Sequence, residues 1–412
     1  MRPAGRGRAR GLWAALLLGL APLLVPAARG RAEEPIRIGV LHSLTGTMAT
    51  SEWPLVDAVR LAVEEVNAGG GLLGRRVEAV VADTRSDPAR AALEAERLLR
   101  EEKVQVLFGC WTSACRKAVV PVVERRDGLL FYPVQYEGME MSPNVVYLGA
   151  APNQQVIPGT RWALRSLGPR VYYVGSDYVF PRAAGVIVAD VVRSGGGTLL
   201  GERYVPFGSE DMGAVVADVR RLRPDVVLNT INGDGNRAFF AGLVNAGLGE
   251  VPVVSFSVTE REMVAFGGVA LSRHYAVWSY FQSLPGLANR RFVAAFKARF
   301  GPDRVTNDPV LAAFTGVRLW AAAVREAGET APERVGEAVL HQTMDGPAGV
   351  VALDRATRHA WRAVRVGKVR PDGQFDVVHA FPSLVRPNPF PTYRSRSEWR
   401  TLEAAVRGSG TP

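Results

Sequence analysis

Apolar, β-rich runs alternate with amphipathic helical segments along most of this chain, and the alternation runs through twice. The first series covers residues 36–133, from the strand pattern IRIGVLH to the strand pattern GLLFYP. A second series begins after GAAPNQQ (residues 149–155) and continues to VPVVSFS (residues 251–257). Strands that alternate with helices of this length form right-handed βαβ units around a mostly parallel sheet. The pattern therefore predicts an α/β fold with two Rossmann-like, doubly wound lobes, for which 412 residues suffice.

Residues 1–32 differ in composition from everything that follows them. Four arginines precede a nearly uncharged apolar run, and small residues follow at Ala27, Ala28 and Ala32. This layout is typical of a secretory signal peptide. The alternative is a transmembrane anchor, which the short run and its two prolines disfavour. We therefore predict that residues 1–32 are removed and that the mature chain is periplasmic or otherwise extracytoplasmic.

The formal net charge of +10 resembles that of nucleic-acid-binding proteins. Six arginines and no acidic residue lie within residues 1–32, so removing these six charges from +10 leaves +4. The other Lys and Arg side chains are scattered among Asp and Glu without a basic block. The sequence therefore predicts no nucleic-acid partner.

The usual catalytic and cofactor motifs do not fit this chain. GGGLLG (residues 69–74) matches the dinucleotide fingerprint, but it follows a helix and precedes a strand, which reverses the required order. We interpret it as a helix C-cap and turn. There is no phosphate-binding loop, nucleophile elbow or zinc-protease motif, and the five histidines are far apart. These observations predict a protein that is not an enzyme and that uses no metal and no cofactor.

The turn in FGCWTSACRKAV (residues 108–119) joins a predicted strand to a predicted helix. The backbone N–H groups of Thr112, Ser113 and Ala114 would be free at the helix start and would attract a carbonyl or carboxylate oxygen. Trp111 would add an apolar wall. A nucleophilic Ser113 would need a base and a flanking glycine, and the turn lacks the glycine. We therefore interpret this turn as one edge of a binding pocket.

The two cysteines of the chain, Cys110 and Cys115, flank the same turn. Four intervening residues at a strand–helix turn leave two alternatives open. One is a disulfide, which an extracytoplasmic location permits, and the other is a pair of partly buried free thiols. Two cysteines without a nearby histidine do not make a zinc site.

Aromatic, hydroxyl, amide and acidic side chains recur where the predicted strands of both lobes end. Open α/β sheets bind ligands at the carboxyl ends of their strands. The alternative is that these side chains pack the lobes together, but their recurrence favours a cleft for a small molecule. The candidates are Ser43, Thr45, Trp111, Ser113, Tyr132, Val134, Gln135, Tyr136, Glu137, Asp177, Tyr178, Phe180, Asn232, Asp234, Ser257 and Glu260.

Several of these segments together resemble the urea-type substrate-binding proteins of ABC transporters. The resemblance runs from Ile36 to Pro391 and rests on IRIGVLHSLTGTMA, GCWTSACRKAVVPVVE, LLFYPVQYEG, GAAPNQQ, GSDYVFPR and LNTINGDGN. These proteins belong to the type I periplasmic-binding class, with branched-chain amino-acid binders and the amide-sensing regulator of amidase operons as relatives. The resemblance implies two lobes joined by three crossovers, a ligand enclosed by hinge closure, and delivery to a membrane permease driven by ATP-hydrolysing subunits.

The same resemblance implies urea or a short-chain amide as the ligand. The implied ligand-binding residues are Trp111, Ser113, Tyr132, Val134, Tyr178, Phe180, Asn232 and Asp234. Trp111 and Val134 stand where the amide-sensing relative has Tyr and Thr, so the ligand range of that sensor is not implied. The alternatives are a branched-chain amino-acid binding protein and an amide-sensing regulatory protein. The predicted signal peptide argues against the regulator, which is cytoplasmic.

Three crossovers divide the mature chain into two discontinuous lobes. We expect residues 36–150 and 280–345 in the first lobe and residues 151–279 and 346–380 in the second. Residues 381–412 are expected to form an irregular, proline-rich tail. The hinge is expected at the connections near residues 149–152, 278–281 and 345–349.

Overall fold

The structure, a computed structural model, describes residues 34–266 and 273–409, and residues 407–409 in their backbone alone. The predicted signal peptide (residues 1–32) lies outside the described residues. Within the described ranges, no helix combines the length and the apolar character that crossing a membrane requires.

Eight strands of the described ranges form the first sheet, in the order β11–β12–β13–β5–β4–β3–β1–β2. The strands β1 to β5 run parallel to one another, and β11 to β13 extend the sheet at one edge. The eight strands are β1 (Ile36–His42), β2 (Val77–Asp83), β3 (Leu107–Gly109), β4 (Leu130–Tyr132), β5 (Val145–Tyr147), β11 (Thr343–Gly346), β12 (Gly349–Asp354) and β13 (His359–Ala360).

Seven described strands form the second sheet, in the order β15–β14–β10–β9–β8–β6–β7. The strands β6 to β10 are parallel, whereas β14 and β15 are antiparallel to their neighbours. The seven strands are β6 (Arg170–Ser176), β7 (Thr198–Val205), β8 (Val226–Thr230), β9 (Val253–Ser255), β10 (His274–Trp278), β14 (Arg365–Val369) and β15 (Phe375–Ala380). The predicted fold class, two doubly wound α/β lobes, is confirmed.

Helices cover both sheets and bury their apolar side chains against them. The first lobe has α1 (Ala49–Ala68), α2 (Pro88–Arg100), α3 (Ser113–Arg125), α9 (Leu287–Phe300), α10 (Asp308–Ala327) and α11 (Pro332–Ala338). The second lobe has α4 (Val156–Ser166), α5 (Val179–Ser194), α6 (Gly213–Leu222), α7 (Gly235–Asn245), α8 (Glu260–Phe266) and α12 (Arg396–Ser409). Short 3-10 turns precede α4 (Pro152–Gln154) and follow α11 (Val339–His341). One core cluster fills the first lobe and two fill the second.

Local sequence signals account for several boundaries. Helix α2 begins after Asp87, whose carboxylate accepts hydrogen bonds from the N–H groups of Ala89 (2.7 Å) and Arg90 (3.1 Å). The GGGLLG segment is the turn between α1 and β2, as interpreted from the sequence. Gly71 has φ +77°, and a β-carbon there would lie 2.1 Å from the carbonyl oxygen of Arg75, so no other residue fits.

The third crossover lies further along the chain than the sequence suggested. Residues 346–360 were expected in the second lobe, but β12 pairs with β11 as an antiparallel hairpin and β13 pairs with β5 of the first sheet. The chain therefore passes to the second sheet at residues 361–364, not at 345–349. The prediction was wrong because a short strand's own residues do not determine which of two sheets accepts its hydrogen bonds.

The C-terminal region is irregular up to Ser395, but the predicted irregular tail is wrong for residues 396–409, which form α12. Ser395 and Glu398 cap this helix reciprocally: the Ser395 N–H donates to the Glu398 carboxylate at 2.7 Å, and the Glu398 N–H donates to the Ser395 hydroxyl at 3.3 Å. Trp399 is buried in the second-lobe core. The capping signal was present in the sequence, but the preceding prolines obscured it.

Candidate ligand-binding cleft

The turn between β3 and α3 is closed by one disulfide and one hydrogen bond. Cys110 and Cys115 form a disulfide, which decides between the two alternatives left open by the sequence. Cys110 has φ +62°, in the left-handed region. The Thr112 hydroxyl accepts the Cys115 N–H at 3.1 Å and so acts as the N-cap of α3. Together these links hold the turn that presents Trp111 and Ser113.

Two backbone donors at the start of α3 are available. Within the described residues, the N–H groups of Ser113 and Ala114 have no hydrogen-bond partner. They are among the first N–H groups of a 13-residue helix, where the helix dipole adds partial positive charge. This pair of donors suits an oxygen acceptor such as a carbonyl or a carboxylate.

The hydroxyl of Ser113 is held by its own protein partners. It donates to the carboxylate of Glu137 in a short hydrogen bond and accepts from Nη1 of Arg116 at 3.0 Å. Nη2 of Arg116 also donates to Glu137 at 2.9 Å, and its Nε donates to Glu140 at 2.9 Å. The Arg116 guanidinium lies 4.9 Å from the ring centroid of Tyr132. Arg116 therefore joins Ser113 and Tyr132, two of the predicted contacts.

Burial and charge act against each other in this cluster. Burial by itself would raise the pKa of Glu140, but Arg116 and Lys117 outweigh it and lower that pKa to about 2. Burial would lower the pKa of Arg116, but Glu140 and Glu137 raise it well above its ordinary value. Arg116 and Glu140 are therefore charged at neutral pH, and Arg116 is fully engaged by acidic partners.

Trp111 and Tyr132 are joined to each other and to the second lobe. The hydroxyl of Tyr132 donates to the carbonyl oxygen of Trp111 at 2.6 Å. The indole N–H of Trp111 donates to Oδ1 of Asn232 at 3.1 Å, across the boundary between the lobes. Burial raises the pKa of Tyr132 above its usual range, so this phenol stays a donor. Three of the predicted residues thus form one connected chain.

Tyr178 and Phe180 lie at the start of α5, where their surroundings differ. The Tyr178 ring packs edge-on against Phe207 with centroids 5.5 Å apart. Burial, followed by the negative charge of Tyr132 and Glu137 when ionised, raises the pKa of Tyr178 well above its usual range, so its hydroxyl stays protonated. Among the residues that the structure describes, this hydroxyl makes no hydrogen bond. Phe180 packs in the second-lobe core.

Asn232 and Asp234 follow β8 and touch the first lobe. The side-chain amide of Asn232 donates to the Thr230 carbonyl at 3.0 Å, while its oxygen accepts from Trp111. The backbone N–H of Asp234 contacts Thr47, with the hydroxyl at 3.2 Å and the carbonyl at 3.3 Å. The Asp234 carboxylate has no hydrogen-bond partner in the described ranges. It is therefore an available acceptor.

Val134 is buried beside the first crossover. Its carbonyl carbon lies 1.9 Å from where a β-carbon on Gly149 would be, so the two chain segments are in direct backbone contact. Val134 belongs to the first-lobe core cluster, as do Trp111 and Tyr132. Its role in ligand contact stays a prediction.

Further hydrogen bonds and an ion pair hold the two lobes against each other. Gln135 donates to the Ser257 hydroxyl at 3.1 Å, and its side-chain oxygen is buried without a partner in the described ranges. Ser51 donates to Glu262 at 2.7 Å. These two hydrogen bonds join the first lobe to the loop after β9 and to α8 of the second lobe. A third link is the ion pair between Lys117 and Glu403.

Sequence reasoning missed Arg116 and Glu140, which support the site from behind. Arg116 lies three residues after Ser113, and this spacing places both side chains on one face of α3. A basic residue on the buried face of an amphipathic helix was the available signal. Glu137 was among the sequence candidates, but the pairing of Arg116 with Glu137 and Glu140 was not identifiable because these acids lie 21 and 24 residues away in an irregular segment. Within the described residues, no group of three or more His, Cys, Asp or Glu could hold a metal ion.

Curated proteins with similar sequences include an amino-acid binding protein and a hydroxylase. The leucine-, isoleucine-, valine-, threonine- and alanine-binding protein of Pseudomonas aeruginosa is 21% identical over 350 residues, covering 80% of this chain and 88% of that protein. Limonene hydroxylase of Geobacillus stearothermophilus is 32% identical over 105 residues, 26% of this chain. The chain spans 19% of the length of that hydroxylase.

Solved structures share the fold. A solute-binding protein of an ABC transporter from Rhodopseudomonas palustris HaA2, in complex with p-hydroxybenzoic acid, aligns with a TM-score of 0.77 at 24% identity. The alignment covers 84% of this chain and 97% of that one. The family described as periplasmic binding protein domain matches residues 36–396, from the first strand of the first sheet to the start of α12. This chain therefore belongs to the periplasmic binding protein domain family.

Proposed function

We propose that this protein is the extracytoplasmic solute-binding component of an ABC importer and that it binds urea or a short-chain amide between its lobes. Membership of the periplasmic binding protein domain family supports the binding role. The similar solved structure is described as part of an ABC transporter, which supports a permease and an ATPase as partners. The ligand assignment depends on the cleft itself.

The ligand assignment is supported by the unpartnered N–H groups of Ser113 and Ala114. They follow Trp111 in the same turn, and Trp111 contacts Asn232 directly. Because the indole and the amide already meet at 3.1 Å, a ligand enclosed at this point must be small. Urea offers one carbonyl oxygen for the two N–H groups. Its own N–H groups would donate hydrogen bonds to the Asp234 carboxylate and to the Tyr178 hydroxyl oxygen.

The charges around the cleft favour a neutral ligand. Arg116 is the cation that contacts the predicted residues Ser113 and Tyr132, and Glu137 and Glu140 already engage it. A ligand carboxylate would therefore depend on backbone N–H groups alone. A ligand that leaves a buried donor or acceptor unpaired loses about 1–3 kcal/mol of binding free energy, so a pocket for urea rejects purely apolar solutes of the same size.

A branched-chain amino acid is the second candidate. The relative from Pseudomonas aeruginosa carries that activity in its name, and the N–H pair at α3 would donate to an amino-acid carboxylate as it would to a carbonyl oxygen. This alternative requires an acidic partner for the ligand's ammonium group, for which Asp234 is available. It also requires room for an aliphatic side chain beyond Trp111. An amide-sensing regulatory protein, the third candidate, would bind the same solutes but act through a protein partner.

Isothermal titration calorimetry of the purified chain tests the ligand assignment. The solutes are urea, formamide, acetamide, leucine and p-hydroxybenzoate, each titrated under identical buffer conditions. We expect saturable heat with urea or a short amide and none with leucine or p-hydroxybenzoate. Saturable binding of leucine together with no response to urea or amides would replace the assignment with the amino-acid alternative.

Two further measurements address the class of function. Purified, metal-free protein incubated with urea or acetamide should release no ammonia beyond the buffer control, whereas sustained release would indicate an enzyme. Deleting the gene should abolish uptake of labelled solute by intact cells if the protein serves an importer. Unchanged uptake combined with altered expression of amide-metabolising enzymes would favour the regulatory alternative.

A further inference from the structure

Three chain segments connect the two lobes, and they lie side by side. They are residues 148–155 after β5, residues 279–286 after β10 and residues 361–364 between β13 and β14. We call them the first, second and third crossovers. In a two-lobed protein a rotation of one lobe relative to the other takes place at such segments.

Arg362, in the third crossover, binds both of the others. Its Nε donates to the Ser279 hydroxyl of the second crossover at 2.7 Å. Its Nη1 donates to the Leu148 carbonyl of the first crossover. Its Nη2 forms an ion pair with Asp308, the first residue of α10 in the first lobe. One side chain thus links all three crossovers to a first-lobe helix.

Asp308 extends the same network with its other oxygen. Oδ2 accepts the backbone N–H groups of Ser279 at 2.7 Å and Tyr280 at 2.9 Å. The side chains of Arg362 and Asp308 are 12% and 3% exposed, so water screens their attraction little. Both groups are therefore held by several partners in a shielded position. We call this arrangement the crossover node.

The geometry of the crossover node depends on the positions of the lobes. The guanidinium is planar and offers its donors in a fixed fork. Leu148, Ser279 and Asp308 must therefore keep a fixed spacing to be bound at the same time. A lobe rotation that changes the spacing between crossovers bends or breaks at least one of these bonds. A cavity of about 50 Å³, lined by Tyr280 and Trp361 among others, borders the node.

We propose that the Arg362–Asp308 pair is a positioning pair for lobe closure: it stabilises the arrangement in which the lobes touch and so raises ligand affinity from outside the cleft. A change in the free energy of one arrangement changes its population, and apparent affinity follows the population of the binding-competent state. The inference rests on the proposed function in one respect, since it assumes that the lobes open to admit a ligand. In the described ranges, the hydrogen bonds and the ion pair of Arg362 involve none of the predicted ligand contacts.

The test measures the distance between lobes directly, without any ligand. Spin labels are attached at L93C in α2 and V244C in α7, positions that are 65% and 37% exposed. Pulsed electron paramagnetic resonance then gives the distance distribution for the otherwise unchanged chain and for R362M, R362K and D308N. R362M keeps a long apolar side chain, R362K keeps the charge without the fork, and D308N keeps the shape of Asp308 without its charge.

The matched control is R394M. Arg394 forms a bidentate ion pair with Asp190 at 2.8 Å for both bonds, and both residues lie in the second lobe. This pair resembles the crossover node in chemistry but spans no crossover. A loss of thermal stability alone should therefore affect R394M and R362M alike, whereas a change in lobe distance should be confined to the crossover variants.

We expect R362M and D308N to shift the distances to longer values and R394M to leave them unchanged. Affinity for whichever solute the calorimetry identifies should fall by about tenfold in R362M, the consequence of losing one or two charge-assisted hydrogen bonds. R362K should lie between R362M and the parent chain. If R362M does not fold, the distances measured in D308N and R362K provide the test.

Parent-like distance distributions in folded R362K and D308N would overturn the proposal, as would an equal shift in R394M. The result does not depend on the ligand. If urea and amides fail to bind while the distances still respond to R362M, the proposed ligand is wrong and the inference about the crossovers stands.

Discussion

The indole N–H of Trp111 donates a hydrogen bond of 3.1 Å to Oδ1 of Asn232, and this bond joins the two lobes. Trp111 comes from the turn after β3 and Asn232 from the loop after β8, 121 residues apart in sequence. The backbone oxygen of Trp111 is fixed in turn by the Tyr132 hydroxyl at 2.6 Å. The contact between the lobes and the bond to Tyr132 therefore depend on the same residue, Trp111.

Replacing Trp111 should weaken ligand binding in two separable steps. Trp111→Phe keeps an aromatic wall but removes the bond to Asn232, and we expect a loss of about 1 kcal/mol. Trp111→Ala also removes the apolar wall, for a total loss of about 1–3 kcal/mol. Calorimetry measures both, and circular dichroism checks that the sheet content is unchanged. Parent-like affinity in Trp111→Ala would show that the turn is a packing feature and not part of the pocket.

Removing the charge of Arg116 should destabilise the first lobe strongly. Arg116→Met leaves the buried Glu137 and Glu140 with Lys117 but without the guanidinium that pairs with both, and breaking a buried ion pair costs about 3–5 kcal/mol. Unfolding in guanidinium chloride measures the loss, because urea is the proposed ligand and would bias the result. Arg126→Met, at an exposed pair with Glu96, is the control and should change little. Equal midpoints for the two variants would contradict the assigned role of Arg116.

The Cys110–Cys115 disulfide should stabilise the folded chain by about 2 kcal/mol, the chain-entropy value for so short a loop. The double variant Cys110→Ser with Cys115→Ser should unfold at lower guanidinium chloride concentration by that amount. Dithiothreitol should lower the unfolding midpoint of the parent chain to that of the double variant. It should leave the midpoint of the double variant unchanged. Two thiols per chain titrating in denaturant without a reductant would show that the disulfide is absent.

Glu260 should make stability fall as pH rises. Burial, with the charges of Asp308 and Glu262 adding to it, raises the pKa of this carboxyl from 4.5 to about 8. One of its oxygens accepts the Gln282 N–H at 2.8 Å and the other is buried without a partner in the described ranges. The folded chain then holds a proton that the unfolded chain has lost, so stability declines between pH 4.5 and about 8.

The isosteric variant Glu260→Gln isolates this effect from other titrating groups. The unfolding free energy of the parent minus that of Glu260→Gln should decrease from pH 5.5 to pH 8. Thermal or guanidinium unfolding at several pH values measures this decrease. Glu64→Gln, at an exposed pair with Arg299, serves as the control for replacing a carboxyl by an amide. A constant difference between the parent and Glu260→Gln would show that the Glu260 carboxyl is ionised throughout.

Two buried histidines should make the stability of the folded chain fall as pH falls. Burial lowers the pKa of His274 to about 3 and that of His359 to about 4, both from 6.5. Their neutral forms are favoured in the folded chain, so stability is lost as pH falls below about 6.5. His359→Gln should reduce the acid sensitivity of unfolding, measured between pH 7 and pH 4.5. An unchanged acid transition would contradict a buried neutral imidazole.

The sequence alone determined the elements whose signals are local. The pattern IRIGVLH predicted a strand that the structure shows at Ile36–His42, and Asp87 followed by Pro88 is a local signal for the start of α2. A helix cap involves residues two or three positions apart, and an alternating strand pattern needs a single run of side chains. Two doubly wound lobes followed from the order of such elements. The capping box at Ser395 carried the same kind of information for α12.

The tertiary structure decided everything that depends on partners distant in sequence. The edge strands β12 and β13 joined the first sheet because of hydrogen bonds to neighbours that their own residues do not specify. The pairing of Cys110 with Cys115 required the turn geometry. Arg362 meets Ser279 and Leu148, 83 and 214 positions away, and its charge gave no sign of either partner. Periodicity is a property of neighbours along the chain, whereas a cleft and a hinge are made by segments that meet only after the chain has folded.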